Sequence, residues 1–355
     1  MPQINLKSKY ADKLTNAFDY SSVISGKTST EYKMDGSEEI QLLSLITQAM
    51  SDYNRNASAN RFGTPAEQED MIQRIKLDKD RSFSIAVDKG NFIEGNYLKT
   101  AGAVVEDEMN DVVAPEIEQD FFLKLCYGAG TVYATTTAVS ASNILSRILA
   151  VEAAFRNARI PKADRFIAIP STKLQLIKQA LTNCDGITDK LLMQGIVGRI
   201  GTLMVLEIAD TDVIAGVNFI AWQKRCAVFH KTIEDTIVHR DPPGISGILV
   251  EGRFRWGGGV VGKYAGGTYV DVDSTSGTYV QANPSVSSAG AITVGSGSDY
   301  SLYTTDGSDP RYSSTAVKIT SGTTPTHTAN VTHIKVVSYK ANKVHSAVVD
   351  VVPTT

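Results

Sequence analysis

The sequence predicts an α+β protein followed by a second, all-β unit. Up to about residue 267, helical apolar stripes alternate with short β-branched runs. From Thr268 onward glutamate, methionine, phenylalanine, tryptophan and cysteine are absent, and Leu302 is the only leucine. This second part is rich in serine and threonine, and its short apolar runs are separated by Gly, Ser, Asn and Pro, which is typical of a small β-sandwich. A length of 355 residues agrees with two or three domains.

The bulk composition argues against several functional classes. The formal net charge is −3, with 42% hydrophobic and 21% charged residues, as in ordinary globular proteins. This charge provides no overall positive field of the kind that holds nucleic acid. No apolar run is long enough to span a bilayer, and residues 1–20 lack the apolar segment of a signal peptide. Cys126, Cys184 and Cys226 are odd in number and far apart, which favours reduced, buried thiols in a cytoplasmic protein.

Residues 31–90 are expected to form a long two-stranded arm with a polar tip. "TEYKMDGSEEIQLLSL" and "MIQRIKLDKDRSFSIAVDKG" have the composition of extended chain, and residues 51–70 between them are polar and rich in turn formers. Phe83, Ile85 and Val87 alternate and therefore share one face. An isolated two-stranded ribbon is only marginally stable in water, so this arm is expected to lie on another surface.

The clearest long helix is predicted within residues 96–128. Its apolar stripe consists of Leu98, Ala101, Val105, Met109 and Val112. Glu106 and Asp107 belong to an acidic side that faces solvent or a partner. Pro115 is expected to kink or break the helix.

Further helices and strands complete the α+β pattern. A second helix carries the stripe Ile144, Ile148, Val151 and Phe155, with Ser140 or Ser142 as its N-cap and Pro161 after its end. The run "RFIAIP" predicts a buried strand, and "STKLQLIKQAL" predicts a helix capped by Ser171. The apolar runs from "GTLMVLEIAD" to "GILVEGRFRWGGGVVG" predict the remaining strands.

No motif in the sequence predicts catalysis. Gly257, Gly259 and Gly262 match GxGxxG, and Lys263 nearly completes a P-loop, but Tyr264 replaces the required Ser or Thr. The segment that follows is expected to be extended rather than a phosphate-holding helix, so the glycines are assigned to bends or close strand packing. The five histidines lack metal-binding spacings, and no GxSxG elbow occurs. We therefore predict no enzyme, no cofactor and no metal site.

The stretch "LYTTDGSDPRYSS", residues 302–314, fits either a cation site or a turn. The alternating ligands of an EF-hand are missing, so we predict a turn. "YTTDGSDP" resembles the strand-turn signature of the small immunoglobulin-like domain appended to chitobiases and many bacterial surface enzymes, over residues 294–352. This resemblance implies an accessory sandwich. Tyr303, Tyr312 and Tyr339 are its candidate surface contacts, which either stack on sugars or pack in the core.

Several segments of the first 267 residues occur in one characteristic order. They are "KYADKLTNAF", "DKDRSFSIAVDKGN", "KTAGAVVEDEMNDVVAPEIEQDFFLKL", "RFIAIPSTKLQLIKQA" and "DPPGISGILVEGRFRWGGGVV". In this order they resemble the major capsid protein of tailed bacteriophages with the Hong Kong 97-like fold. The resemblance implies an N-terminal arm (1–30), an extended loop (31–95), a peripheral domain with a long spine helix (96–134 and 236–270), an axial domain (135–235), a linker (271–283) and the immunoglobulin-like domain (284–355).

The same resemblance implies a structural role in the virion. Hexamers and pentamers of this chain would form an icosahedral shell around double-stranded phage DNA, contacted non-specifically, after assembly in the bacterial cytoplasm. A separate scaffolding protein, a portal and decoration proteins are the expected further partners. The C-terminal domain would lie on the outer surface, for decoration or weak glycan binding. No lysine–asparagine crosslink is predicted.

Six charged residues are candidate inter-subunit contacts, and the alternative for each is simple solvation. They are Arg55, Arg61, Arg74, Lys76, Glu106 and Asp107. Two other functions remain open at this point. One is a phage tail-tube or other virion structural protein, and the other is a carbohydrate-binding surface protein, suggested by the C-terminal sandwich alone.

Overall fold

The computed structural model describes residues 23–32, 38–45, 47, 50–56, 58–65, 67, 70–90, 101–182, 198–274 and 277–354. Most of the predicted N-terminal arm lies outside these residues, and so do Leu98 and Cys184.

The predicted two-stranded arm exists, but it is shorter than expected. Strand β1 (Glu39–Leu45) pairs antiparallel with β2 (Asp70–Lys76), and we call this pair with its connecting tip the ribbon. The predicted continuation is wrong. β3 (Lys79–Asp88) leaves the ribbon and joins a sheet of order β3-β10-β9, with β9 (Ala227–Arg240) and β10 (Gly247–Val260). The apolar side chains on one face of β3 are stabilised by burial. In this sheet, Phe83 on that face packs onto the main core.

The long helix runs from Ala101 to Tyr127 in three parts. They are α1 (Ala101–Glu108), a π-helical turn (Met109–Val113) and α2 (Ala114–Tyr127). The Ala114 N–H donates to the Met109 carbonyl, five residues back. Pro115 follows at once. Proline has no N–H and its ring crowds the preceding turn, so the wider π turn accommodates it and the helix continues.

The π turn also changes which side chains of the long helix are buried. The predicted stripe is wrong at Val112, which is exposed, while Val113, Ile117 and Phe121 are buried. A π turn holds more residues than an α turn, and it therefore rotates the apolar face by about one position. The sequence pattern, which assumes a constant period, missed this shift.

A six-stranded sheet forms the centre of the molecule. Its order is β4 (Thr131–Ala134), β11 (Thr268–Val272), β8 (Val217–Gln223), β5 (Arg165–Pro170), β7 (Leu203–Ile208) and β6 (Arg199–Ile200). Helices α3 (Ile144–Asn157) and α4 (Ser171–Thr182) contribute to the apolar cluster on one face, and α2 contributes to that on the other. All six residues of β5 are buried, as predicted, because both faces of the sheet are covered.

The predicted stripe of α3 is confirmed, but its predicted cap is wrong. Ile144, Ile148, Val151 and Phe155 are fully buried. The N-cap residue is Asn143, while the Ser140 and Ser142 hydroxyls lie 2.9 Å from each other. For α4, the Thr172 N–H donates to Asp210 Oδ1 at 3.3 Å, whereas the Ser171 hydroxyl donates to the Ile208 carbonyl. The hydroxyls of Ser140, Ser142 and Ser171 are therefore bound to other groups instead of the helix amides.

The C-terminal unit, residues 284–354, is built from six short strands. β12 (Ser285–Val286) pairs with β13 (Ile292–Thr293). The second sheet has the order β15 (Val317–Ile319), β14 (Tyr300–Thr304), β16 (Ile334–Tyr339) and β17 (Val349–Val351). Ile292, Ile334 and Val336 form a small core of its own. These strands agree with the predicted all-β character, and the immunoglobulin-like topology stays a prediction.

The glycine-rich run and the segments that follow it differ partly from expectation. Gly262–Gly267 is a 3₁₀ helix, not extended chain, and β11 follows it. Close packing is confirmed at Gly257, where a Cβ atom would lie 2.4 Å from the Lys76 carbonyl oxygen. The predicted linker begins inside β11, and further on the Gln281 N–H donates to the Val344 carbonyl at 2.8 Å.

Candidate interaction surface

The ribbon has an inner face that is fixed to the rest of the chain. Leu42 and Ile75 are buried there in one apolar cluster with Val228 and Val261. Gln73 is buried between them. Its Nε2 donates to the Val260 carbonyl at 2.7 Å, and its Oε1 accepts from the Gly262 N–H at 2.8 Å. Because both ends of this buried amide are satisfied, the inner face is a structural contact.

The outer face of the ribbon leaves apolar side chains in water. Leu43 is 64% exposed and Leu45 is 55% exposed, and Ile72 lies directly opposite Leu43 in the register. Nearer the base of the ribbon, Glu39 is 3.8 Å from Arg74 and 3.7 Å from Lys76. An apolar stripe bordered by charges is typical of a protein–protein contact surface.

The tip of the ribbon adds exposed rings to this surface. Tyr53 and Phe62 meet edge to face with centroids 5.0 Å apart, and Phe62 is 85% exposed. The Asn54 N–H donates to the Arg61 carbonyl at 3.0 Å, so the two sides of the tip are joined. Sequence reasoning treated this segment as polar and missed both rings. Each is a single apolar residue among polar ones, and only the fold brings them together.

The six charged candidates fall on three parts of the molecule. Arg55 and Arg61 are exposed at the tip, and Arg74 and Lys76 are exposed beside Glu39. Glu106 is exposed and Asp107 is half-buried on α1. The structure therefore distributes the six residues as three separate pairs. The inter-subunit role of all six stays a prediction.

Buried charges of the central sheet are paired with one another. Arg147 of α3 binds Asp271 of β11 through two guanidinium nitrogens, with Nε at 3.0 Å from Oδ2, and its Nη1 lies 3.3 Å from Asp273 Oδ1. The Asn218 amide donates to both carboxylates, at 2.8 and 2.7 Å. This bidentate, hydrogen-bonded pairing ties α3 to β11 and β8, which is a structural role. The sequence carried no signal for it, because Arg147 is more than 100 positions from both carboxylates and Asn218 is more than 50.

The aspartates of "DGSDP" form turns, as predicted. Asp306 accepts from the Ser308 N–H at 2.9 Å and from the Thr315 hydroxyl at 2.6 Å, and Gly307 has a φ of +78°. Burial alone would raise the pKa of Asp306, but these hydrogen bonds hold it below its usual range. Asp309 is bound by Arg311, with Nη2 at 2.7 Å from Oδ2.

The structure places the three candidate tyrosines in packed positions. Tyr312 is 5% and Tyr339 is 6% exposed, and burial raises the pKa of both phenols. Tyr339 also stacks on Tyr300 at 5.2 Å between centroids. Tyr303 is half-buried against the small core of the C-terminal unit. Of the two interpretations that the sequence left open, core packing describes Tyr312 and Tyr339, since neither ring offers a free face to a sugar.

The described part of the chain contains no group of three or more His, Cys, Asp or Glu side chains that could hold a metal ion. Among its helices, none has the length and apolar character needed to cross a membrane. Cys126 and Cys226 are buried, and burial raises the pKa of each thiol to about 12, which keeps them protonated and unreactive.

Comparisons with known proteins reveal a shared fold. No family model matches the chain, and no curated protein matches it. A solved capsid structure of the cyanophage P-SCSP1u aligns with a TM-score of 0.62 at 13% identity, over 77% of this chain and 94% of that chain. A chain of Mycobacterium phage Che8 aligns with a TM-score of 0.56 at 16% identity, over 76% and 98%.

A third solved structure gives the same result. The asymmetric unit of the mature capsid of bacteriophage PhiM1 aligns with a TM-score of 0.56 at 11% identity, over 76% of this chain and 92% of that chain. The chain therefore has the α+β fold of phage capsid chains. At these identities the likeness is one of fold.

Proposed function

We propose that this chain is a major capsid protein, which assembles as hexamers and pentamers into the icosahedral shell around double-stranded phage DNA. Two findings support the proposal. One is the fold that the chain shares with phage capsid chains. The other, which carries most weight because it belongs to this chain itself, is the ribbon with its exposed apolar outer face.

The outer face of the ribbon needs a partner for a physical reason. The inner face already packs on the chain, whereas Leu43, Leu45 and Ile72 are exposed among the described residues and would gain burial from another molecule. Burying one leucine contributes about 1.5–3 kcal/mol. In a symmetric assembly the same contact is repeated in every subunit, so a moderate local gain becomes a large total. A second copy of this chain is therefore the partner that we propose.

The finer organisation follows the Hong Kong 97-like plan in this proposal. The ribbon is the extended loop, the long helix is the spine of the peripheral domain, and the six-stranded sheet belongs mainly to the axial domain. The C-terminal unit, with an immunoglobulin-like fold, faces the outside of the shell. The expected partners are other copies of the chain, packaged DNA contacted non-specifically, and scaffolding, portal and decoration proteins.

The test is assembly of a ribbon variant. The double substitution Leu43→Asp, Leu45→Asp places two charges on the outer face without touching the buried inner face. We expect wild-type protein, co-expressed with scaffolding partners, to form closed shells of uniform size in electron micrographs. The double variant is expected to remain unassembled, with its free energy of unfolding within about 0.5 kcal/mol of wild type.

The matched control is Val331→Asp, which charges an apolar side chain that is 68% exposed in the C-terminal unit. This control is expected to assemble. Shells formed by the double variant as readily as by wild type would contradict the role of the ribbon. Wild-type protein that stays monomeric under every assembly condition, or that forms tubes, would contradict the capsid proposal, and tubes would favour the tail-tube alternative.

A further inference from the structure

The C-terminal end of the long helix is capped by the C-terminal unit. The last carbonyl groups of a helix have no partners within it. Here the Tyr312 hydroxyl donates to the Gly128 carbonyl at 2.9 Å, and Arg311 Nη1 donates to the Ala129 carbonyl at 2.6 Å. His345 Nε2 lies 3.0 Å from the same Ala129 oxygen, and the Tyr339 hydroxyl lies 3.5 Å from the Tyr127 oxygen. Side chains from distant positions thus cover three successive carbonyls.

Arg311 is the central contact of this cap. Its positive charge lies at the negative end of the helix dipole, where a cation is stabilising. Asp309 fixes the guanidinium, with Nε at 3.0 Å from Oδ1 and Nη2 at 2.7 Å from Oδ2. Burial alone would raise the pKa of Asp309, but the Arg311 hydrogen bonds hold it below its usual range. The arginine is therefore held in one orientation by a charged partner.

The same turn also reaches the ribbon. The Ser314 N–H donates to the Ile72 carbonyl of β2 at 2.9 Å. Between the two contacts, Tyr312 packs so closely on Gly262 that a Cβ atom there would lie 2.5 Å from the Tyr312 Cβ. Gly262 in turn donates its N–H to Gln73 of the ribbon. Residues 309–314 thus touch the helix end and the ribbon at the same time.

The apolar packing supports the same arrangement. Tyr312 and Val344 belong to the main hydrophobic cluster, together with Phe121 and Trp222 of the body. The small core around Ile334 is a separate cluster. The C-terminal unit therefore has one core of its own and one face that is part of the main core. An appendage on a free tether would have only the first.

We propose that the C-terminal unit is an intramolecular clamp, which holds the ribbon in a fixed position against the C-terminal end of the long helix, with Arg311 as its central contact. This role goes beyond decoration of an outer surface. It depends only on contacts within one chain, and it stands whether or not the chain forms a shell. The surface that the clamp recognises consists of the carbonyls of Tyr127, Gly128 and Ala129, at and just beyond the end of the helix, and the Ile72 carbonyl of β2.

The test is hydrogen–deuterium exchange of the full, unassembled chain, followed by mass spectrometry. Arg311→Ala removes the charged cap, and Tyr312→Phe removes a single hydroxyl without changing the shape of the ring. For Arg311→Ala, we expect exchange at 70–76 and 124–131 to be roughly tenfold faster or more, because its bonds are charge-assisted. For Tyr312→Phe, we expect exchange at the helix end, residues 124–131, to be about fivefold faster. The buried strand β5 is expected to exchange at the wild-type rate.

The matched control is Tyr303→Phe, which removes a hydroxyl from the same unit on a ring that faces its small core. This variant is expected to leave exchange at 70–76 and 124–131 unchanged. Faster exchange confined to 299–354 in Arg311→Ala would overturn the clamp, since the ribbon would then not depend on it. If Arg311→Ala does not fold, Tyr312→Phe decides. Wild-type exchange at the helix end in that variant would also overturn the proposal.

Discussion

Two β-surfaces of this protein differ in where their partners lie. On one face of the C-terminal unit, Tyr312 and Tyr339 are almost fully buried, and their hydroxyls reach carbonyls at the end of the long helix. The outer face of the ribbon leaves Leu43 and Leu45 more than half exposed. The first surface is completed within one chain and therefore contributes to its stability. In our proposal, the second is completed by another copy of the chain and contributes to association.

The chemistry of the two faces explains the difference. The face of the C-terminal unit that carries Tyr312 and Tyr339, which we call the clamp face, presents donors to a row of carbonyl acceptors that would otherwise lack partners. Among these donors are Arg311 and the Tyr312 hydroxyl. The outer face of the ribbon presents mainly aliphatic side chains beside exposed ion pairs, with two aromatic rings at the tip. Substitutions on the clamp face should therefore change the free energy of unfolding of the isolated chain. Substitutions on the outer face of the ribbon should mainly change assembly.

The largest expected effect is the loss of a buried ring from the clamp face. Tyr339→Ala removes a ring that stacks on Tyr300, so we expect the free energy of unfolding to fall by about 3 kcal/mol or more. Leu43→Ala on the ribbon is expected to change it by less than about 0.5 kcal/mol. Urea titrations of both variants measure this contrast. Similar losses in the two variants would show that the surfaces do not differ as described.

A smaller effect is expected from acid at His345, which is buried beside Arg311, Asp309 and Tyr339. Burial first, and Arg311 second, lower the pKa of His345 to about 4, below the 6.5 of an exposed histidine. Above pH 6.5 the imidazole is neutral in both folded and unfolded chains. As the pH falls from 6.5 towards 4, the unfolded chain takes up a proton that the folded chain does not, so stability is lost, up to about 3 kcal/mol.

The variant His345→Gln isolates this contribution. It keeps a donor near the Ala129 carbonyl but does not titrate. Other groups titrate in both proteins, so the difference between their losses of unfolding free energy from pH 7 to pH 4.5 reports on His345. We expect wild type to lose more than the variant over this interval. Equal losses would show that His345 is protonated as easily in the folded chain as in the unfolded chain.

The smallest effect is expected from the charges on the ribbon. Arg74 and Lys76 pair with Glu39 at 3.8 and 3.7 Å, and all three side chains are accessible to solvent. Such pairs contribute at most about 1 kcal/mol and commonly less. The double substitution Arg74→Gln, Lys76→Gln is therefore expected to change the urea midpoint only slightly. A loss comparable to that of Tyr339→Ala would place these side chains among the structural contacts of the monomer.

Several features were predictable because their cause is local. The stripe of α3 follows from the helical period, the burial of β5 follows from a short continuous apolar run, and the DGSDP turn follows from Asp and Gly chemistry. The stripe of the long helix failed at Val112, because the π turn before Pro115 breaks the period on which such patterns depend. The predicted helix caps were wrong because the hydroxyls of these serines bind other groups.

By itself, the sequence determined the α+β body, the all-β C-terminal unit, the existence of a two-stranded ribbon and the turns around Asp306 and Asp309. Only the tertiary structure decided that β3 pairs with β10, that Arg311 caps the long helix, and that Tyr312 and Tyr339 are buried while Leu43 is exposed. The physical reason is the separation along the chain over which each interaction acts. Periodicity and turn chemistry act between residues a few positions apart, whereas burial and hydrogen bonding across the fold join groups nearly 200 positions apart, such as Arg311 and Ala129.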